Sequence, residues 1–197
     1  MTKDSPFPPP RPDTPTPTRA APLQRTHEPH REETSRRLPV DCGDLGFTIM
    51  RDGTWLYRGS PIGRLPLVKL FASVLRREGD DYFLVTPAER GRIVVEDVPF
   101  LAVALDVRGT GHAQELTFRT NLDDIVVADA DHPLRVEERA GGEPAPYILV
   151  RDGLEARLAR PVFYDLVELG GEEDRGDHAA YGVWSRNRFF PLGTLAP

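Results

Sequence analysis

Apolar and polar residues alternate in short bursts through most of this chain, and breaks rich in Gly and Asp separate the bursts. Phe47-Thr48-Ile49-Met50 and Thr54-Trp55-Leu56-Tyr57 flank Asp52-Gly53. Asp-Gly between β-formers predicts a hairpin closed by a type I′ turn, whose two central residues need φ > 0. Period two places Phe47 with Ile49 on one face, and Trp55 with Tyr57 on one face of the return strand. The same alternation predicts strands over 82–85, 92–96, 100–108, 115–120, 125–128 and 134–138. A second hairpin, 147–151 with 154–158, closes over Asp152-Gly153, and a last one pairs 181–185 with 188–192. Helical spacing appears twice. Leu67, Leu70, Phe71, Val74 and Leu75 predict a helix over 65–77, with Pro66 in its first turn, Arg76-Arg77 at its negative end and Gly79 as its stop. Residues 161–169 predict a shorter one, and Glu172-Glu173-Asp174 reads as a solvated loop.

The pattern contains an echo. Arg51-Asp52-Gly53 recurs as Arg151-Asp152-Gly153, and Pro61-Ile62 as Pro161-Val162, at one offset. This predicts an α+β fold of two related β-rich halves made by duplication, each with an Asp-Gly hairpin followed by a helix. The expected divisions are a Pro-rich tail over 1–40, an N-terminal half over 41–105 and a C-terminal half over 106–192.

Composition sets the tail apart. Ten of the twenty prolines lie in the first 40 residues, where large apolar side chains are few. Such a segment buries too little apolar surface to offset its ordering entropy, so disorder is expected there. Its spacing of Pro9, Pro12 and Pro15 also suits a polyproline helix docking an aromatic groove. The tail carries 7 Lys+Arg and 5 Asp+Glu, the rest 18 and 26, so a +2 tail precedes a −8 body. That balance argues against a nucleic-acid partner. No apolar run approaches the ~18 residues of a membrane span, and no secretory h-region opens the chain, so a cytoplasmic location is expected. Cys42 stands alone.

Asp52-Gly53-Thr54-Trp55, Gly59-Ser60-Pro61-Ile62, Leu84-Val85-Thr86-Pro87-Ala88-Glu89 and Glu96-Asp97-Val98-Pro99-Phe100 resemble, in order and spacing, a bacterial family known only as domain of unknown function 1285. The resemblance covers roughly residues 45 to 192. It implies a two-part α+β core with a C-terminal part loosely similar to pleckstrin-homology-like barrels. It also implies a ligand site between the parts, a role in signalling or macromolecular binding, and no established catalytic residues. One departure stands out. Where the family's final hairpin looks Gly-rich, this chain has Trp184-Ser185-Arg186-Asn187-Arg188.

Candidate chemistry is sparse. Gly59-Ser60-Pro61-Ile62-Gly63 has its glycines at the wrong offset for a nucleophile elbow, so Ser60 reads as a capping or turn hydroxyl. Asp129-Ala130-Asp131-His132-Pro133 lacks the central Gly and distal Glu of a calcium loop and reads as an Asp-rich turn. No catalytic residue, metal ligand or cofactor is assigned. Trp55 and Tyr57, near Arg58 and Arg64, could stack on an aromatic or anionic partner, or could anchor the core. Glu96 and Asp97 could do acid–base work with Glu89, or could hold the halves in register through salt bridges.

The expected function is therefore a non-enzymatic ligand- or protein-binding module. Its site would lie between the halves and comprise Trp55, Tyr57, Arg64, Glu96, Asp97 and Arg151. Its partner would be a protein or a small anionic or aromatic ligand. The alternative is a hydrolase or lyase working through Glu89, Glu96 and Asp97. The oligomeric state is not set by the sequence.

Overall fold

The computed structural model describes residues 39–139, 141–174 and 179–194. The expected tail therefore lies almost wholly outside the described residues. The first sheet is built from β1 (Val40–Ile49), β2 (Trp55–Tyr57), β3 (Ser60–Pro61), β4 (Leu75–Glu78), β5 (Asp81–Val85) and β6 (Glu89–Val95). Helix α1 (Leu65–Ser73) is inserted between β3 and β4. The second sheet takes β7 (Phe100–Arg108), β8 (Glu115–Thr120), β9 (Ile125–Val127), β10 (Leu134–Glu138), β11 (Pro144–Arg151) and β12 (Leu154–Leu158). After it come α2 (Arg160–Glu168) and a three-stranded antiparallel sheet of β13 (Gly171–Asp174), β14 (Ala179–Ser185) and β15 (Arg188–Thr194).

The two large sheets share one wiring. The first runs β3-β2-β1-β6-β5-β4 and the second β9-β8-β7-β12-β11-β10. Each is a pair of antiparallel meanders joined by a central parallel pair, β1 with β6 and β7 with β12. A parallel pair needs a crossover, and here the crossover is the other four elements of the sheet.

The expected α+β class is corrected by this architecture. Among the described residues fifteen strands stand against two helices of nine residues each, so the molecule is mostly β. The hairpin-plus-helix is not its repeating unit. Asp52-Gly53 joins the first and second strands of its sheet, whereas Asp152-Gly153 joins the fifth and sixth. Helix α1 sits within the first sheet's strand sequence, and α2 follows the last strand of the second. Nor does the C-terminal part form the pleckstrin-homology-like barrel that the resemblance implied. It is an open six-stranded order with a parallel centre and a separate small sheet.

The two turns also differ in shape. At the second, Arg151 faces Leu154 across Asp152 (φ 45°) and Gly153 (φ 75°), the two positive dihedrals of a type I′ turn. At the first, Met50 N–H donates to Thr54 O at 2.9 Å, so three residues close the loop. There only Gly53 is left-handed (φ 83°), and the Asp52 carboxylate accepts from Thr54 N–H at 2.9 Å. This is a type I turn ending in a glycine bulge.

Helix α1 is shorter than its periodicity predicts. It stops at Ser73 because Leu75–Glu78 pairs with β5, from Leu75 opposite Leu84 to Glu78 opposite Asp81. The interstrand ladder takes backbone groups that a longer helix would have used internally. Val68 and Ala72 face inward, and Leu75 is buried from the strand instead. A single core cluster unites both sheets, from Phe47, Ile49 and Trp55 through Phe100, Phe118 and Leu154 to Leu166 and Val183.

Candidate functional site

The residues expected to form one cleft are distributed over three places. Trp55 is buried, 2% exposed, and lies opposite Ile49 in the register of β1 and β2. It belongs to the core. Tyr57 points from the same strand face two residues on, yet stays 41% exposed. It stands opposite Phe47, with ring centroids 4.9 Å apart. Arg64 is the exposed residue preceding α1, with no side-chain cap on the helix, and Ser60 takes no capping role because it pairs with Tyr57 in β3.

Glu96 and Asp97 lie in the connection between the sheets and point apart. Glu96 accepts from Arg51 N–H at 2.8 Å, fixing the first hairpin. Asp97 is nearly covered. It accepts from Tyr147 Oη–H at 3.0 Å and from Arg139, and it lies 3.8 Å from Arg157 Nη1. Burial pushes the Tyr147 hydroxyl above its ordinary range, and hydrogen bonds to Tyr147 and Asp97 hold the Arg139 guanidinium more firmly protonated. Glu89 opens β6, seven positions before Glu96, or roughly 20 Å along an extended strand. The three carboxylates of the hydrolytic alternative therefore do not converge.

Arg151 is a tie between elements. Its guanidinium donates to Asp124 at 2.8 Å and to the Ala72 carbonyl at 3.0 Å, and lies 4.8 Å from the centre of the Phe100 ring. Other ties join the two sheets in both directions. Asn121 Nδ2 donates to Gly53 O at 3.3 Å, Arg77 donates to Gly153 O at 3.3 Å, and Lys69 pairs with Asp123 at 2.6 Å. The echoed turns thus both lie at the seam, as docking points rather than as equivalent parts.

An apolar groove lies open beside Tyr57. Leu45 and Phe47 from β1, Tyr57 from β2, Ile62, and Leu67 and Phe71 from α1 line a cleft of about 450 Å³. Phe47 is the centre of an aromatic row, 4.8 Å from Phe71 on its other side and edge-on to it. The helical wall continues outward as Leu65 (45% exposed) and Leu70 (61%). Leu67 and Leu70 lie roughly 100° and 160° round the helix from the inward-facing Val68. Helix α1 is therefore apolar on two faces, and its sheet covers one. Arg58 flanks the groove with its guanidinium 5.3 Å from the Tyr57 ring centroid, and the lining holds no acidic group.

Two features singled out in the sequence have structural roles. Asp129 accepts from the N–H groups of Asp131 and His132, both at 3.0 Å, in an Asp-rich turn. Arg186, at the final hairpin, pairs with Glu115 at 2.8 Å and Asp129 at 3.2 Å, which docks that hairpin on the second sheet.

Comparison with known proteins gives a family. Residues 35–98 match a domain of unknown function (DUF1285), N-terminal domain, and residues 99–192 a protein of unknown function (DUF1285), C-terminal domain. Among solved structures, the chain is similar to a DUF1285 family protein from Silicibacter pomeroyi DSS-3. The TM-score is 0.75 at 48% identity, over 80% of this chain and 84% of that one. It is also similar to a DUF1285 family protein from Shewanella baltica OS155, with a TM-score of 0.51 at 30% identity, over 64% of this chain and 92% of that one. No curated protein matches the chain.

Proposed function

Since the chain belongs to the DUF1285 family, of unknown function, we propose from its own surface that it is a non-enzymatic protein-binding module serving signalling. Its groove captures an amphipathic segment of another protein, apolar on one side and acidic at its flank. The single observation that carries this reading is the second apolar face of α1. A helix apolar nearly all round belongs inside a structure, and here Leu65, Leu67 and Leu70 have no cover among the described residues. Aromatic burial against Phe47, Tyr57 and Phe71 would supply affinity, and the preformed groove limits the ordering cost on this side. Arg58 and Arg64 supply the sign. Neither forms an ion pair among the described residues, and both would meet carboxylates of the partner.

The test is a display library of amphipathic peptides with acidic or basic flanks, selected on the wild-type chain and on the double variant Leu67→Asp/Leu70→Asp. Acidic-flanked peptides should enrich on the wild type and be lost on the variant. Equal retention by both proteins, or enrichment of basic or proline-rich peptides, overturns the reading. So does a concentration-dependent dimer that Leu70→Asp dissolves, because the groove would then take a second copy.

A further inference from the structure

A second cavity, on the other half, has the opposite character. It measures about 270 Å³ and is lined by Arg139, Arg157, Arg160 and Glu143 together with apolar residues that include Leu158 and Phe163. The three arginines arrive from different elements. Arg139 follows β10, Arg157 lies in β12, and Arg160 opens α2. We propose that this cavity binds a small organic anion, a carboxylate or phosphate group carried on a compact apolar body.

The charge count is the first ground. Asp97 serves both Arg139 and Arg157, so one buried carboxylate faces two guanidiniums. Arg157 donates one bond to the Arg51 carbonyl at 3.3 Å, and its buried Nε has no partner. Among the described residues Arg160 is held only by Glu143, at 3.2 Å, with both side chains largely exposed. An exposed pair of that kind is weak, so Arg160 is free to exchange Glu143 for a ligand. Three guanidiniums thus face two carboxylates, Asp97 and Glu143, which leaves one positive charge in excess at the cavity.

Two further features fit an anion with an apolar part. The first turn of α2 carries no acidic residue and no side-chain cap, so its free N–H groups and positive dipole end add to the field of Arg160. The floor of Pro146, Leu158 and Phe163 is apolar, with the exposed Tyr164 at the rim. Bidentate guanidinium contacts would fix the anionic group, and burial of the apolar body would add affinity. The volume lies just below the roughly 300–1,000 Å³ of drug-sized ligand sites, which limits the ligand to a small molecule.

The proposal is independent of the groove, which lies on the first half and takes a polypeptide. The test is titration calorimetry on the full chain with phenyl phosphate, benzoate, inorganic phosphate and benzyl alcohol at matched ionic strength. Phenyl phosphate or benzoate should saturate one site, inorganic phosphate should bind more weakly, and benzyl alcohol should not bind. Arg160→Ala lies on an exposed side chain and should keep the melting temperature while weakening the organic anion about tenfold or more. Glu143→Gln should tighten it by releasing Arg160. Saturation by none of the anions, equal binding of benzyl alcohol, equal binding of inorganic phosphate, or an unchanged affinity in either variant would overturn the proposal.

Discussion

Trp55 and Tyr57 stand two residues apart on one strand face, yet one closes the core and the other borders a groove. Truncating Trp55 to Ala should cost about 3–5 kcal/mol in urea-unfolding experiments, the range for a buried aromatic. Tyr57→Ala should cost far less stability and should instead weaken peptide capture. A second contrast separates the glycines of the echoed turns. A Cβ at Gly53 would lie 2.6 Å from Asn121 Nδ2, on a backbone with φ +83°. At Gly153 the nearest atom is 3.9 Å away, so only the left-handed backbone (φ +75°) resists substitution. Both Gly→Ala changes should lower the unfolding free energy by the roughly 1–2 kcal/mol of that strain, with a lower denaturant midpoint, and Gly53→Ala should lower both further by displacing Asn121. Equal midpoints would show that Asn121 gives way without cost. Tyrosine ionisation gives a pH prediction. Burial raises both Tyr82 and Tyr147 above the ordinary 10.0. A raised folded pKa means their contribution is complete below pH 10.0 and is lost as pH climbs through the folded values. Tyrosinate absorbance from Tyr82 and Tyr147 should therefore appear only above pH 10.0, and stability should fall as it appears.

At the scale of the element, α1 shows how far periodicity reaches. Nine residues are too few for a stable isolated helix, so packing holds it. Helical spacing identified the segment but could not decide its covered face, because apolar residues fall on both sides. Leu67 and Leu70, part of the spacing that identified the helix, face out, and Val68 and Ala72 take the core. Leu67→Asp/Leu70→Asp should accordingly change unfolding free energy by no more than about 0.5 kcal/mol, as surface substitutions do. A loss of several kcal/mol in a thermal or urea melt would place those side chains in the core after all. The end of α1 was equally out of reach. Arg76 and Arg77, read as its last turn, lie in β4, because a partner strand that forms only in the fold claims them.

At the scale of the whole molecule, the described residues form two six-stranded sheets of one strand order and a small third sheet over a shared core, with each Asp-Gly turn gripped by the other half. One buried cluster draws its residues from both halves. The described chain should therefore unfold in a single cooperative transition, with calorimetric and van't Hoff enthalpies equal. Residues 39–98 produced separately should show no cooperative melt. A sharp transition from that fragment would mean that the seam is a docking contact between self-sufficient units. Arg151, Asn121, Lys69, Arg77 and Arg157 are among the side chains that cross the seam.

The sequence by itself determined what depends on near neighbours. Phe100–Arg108, Glu115–Thr120, Leu134–Glu138 and Leu154–Leu158 form strands at the bounds their alternation predicts. Asp-Gly marks both turns, and the ordered motif blocks lead to the family. Each of these rests on a period or a backbone preference acting over a few residues. Only the tertiary structure decided the parallel pairs at the sheet centres, the mostly β class, the different shapes of the two turns, the outward face of α1, and the meeting of Arg139, Arg157 and Arg160 around one cavity. Those outcomes are set by contacts between residues far apart in the chain, where the free energy of burying one face against another outweighs any local preference.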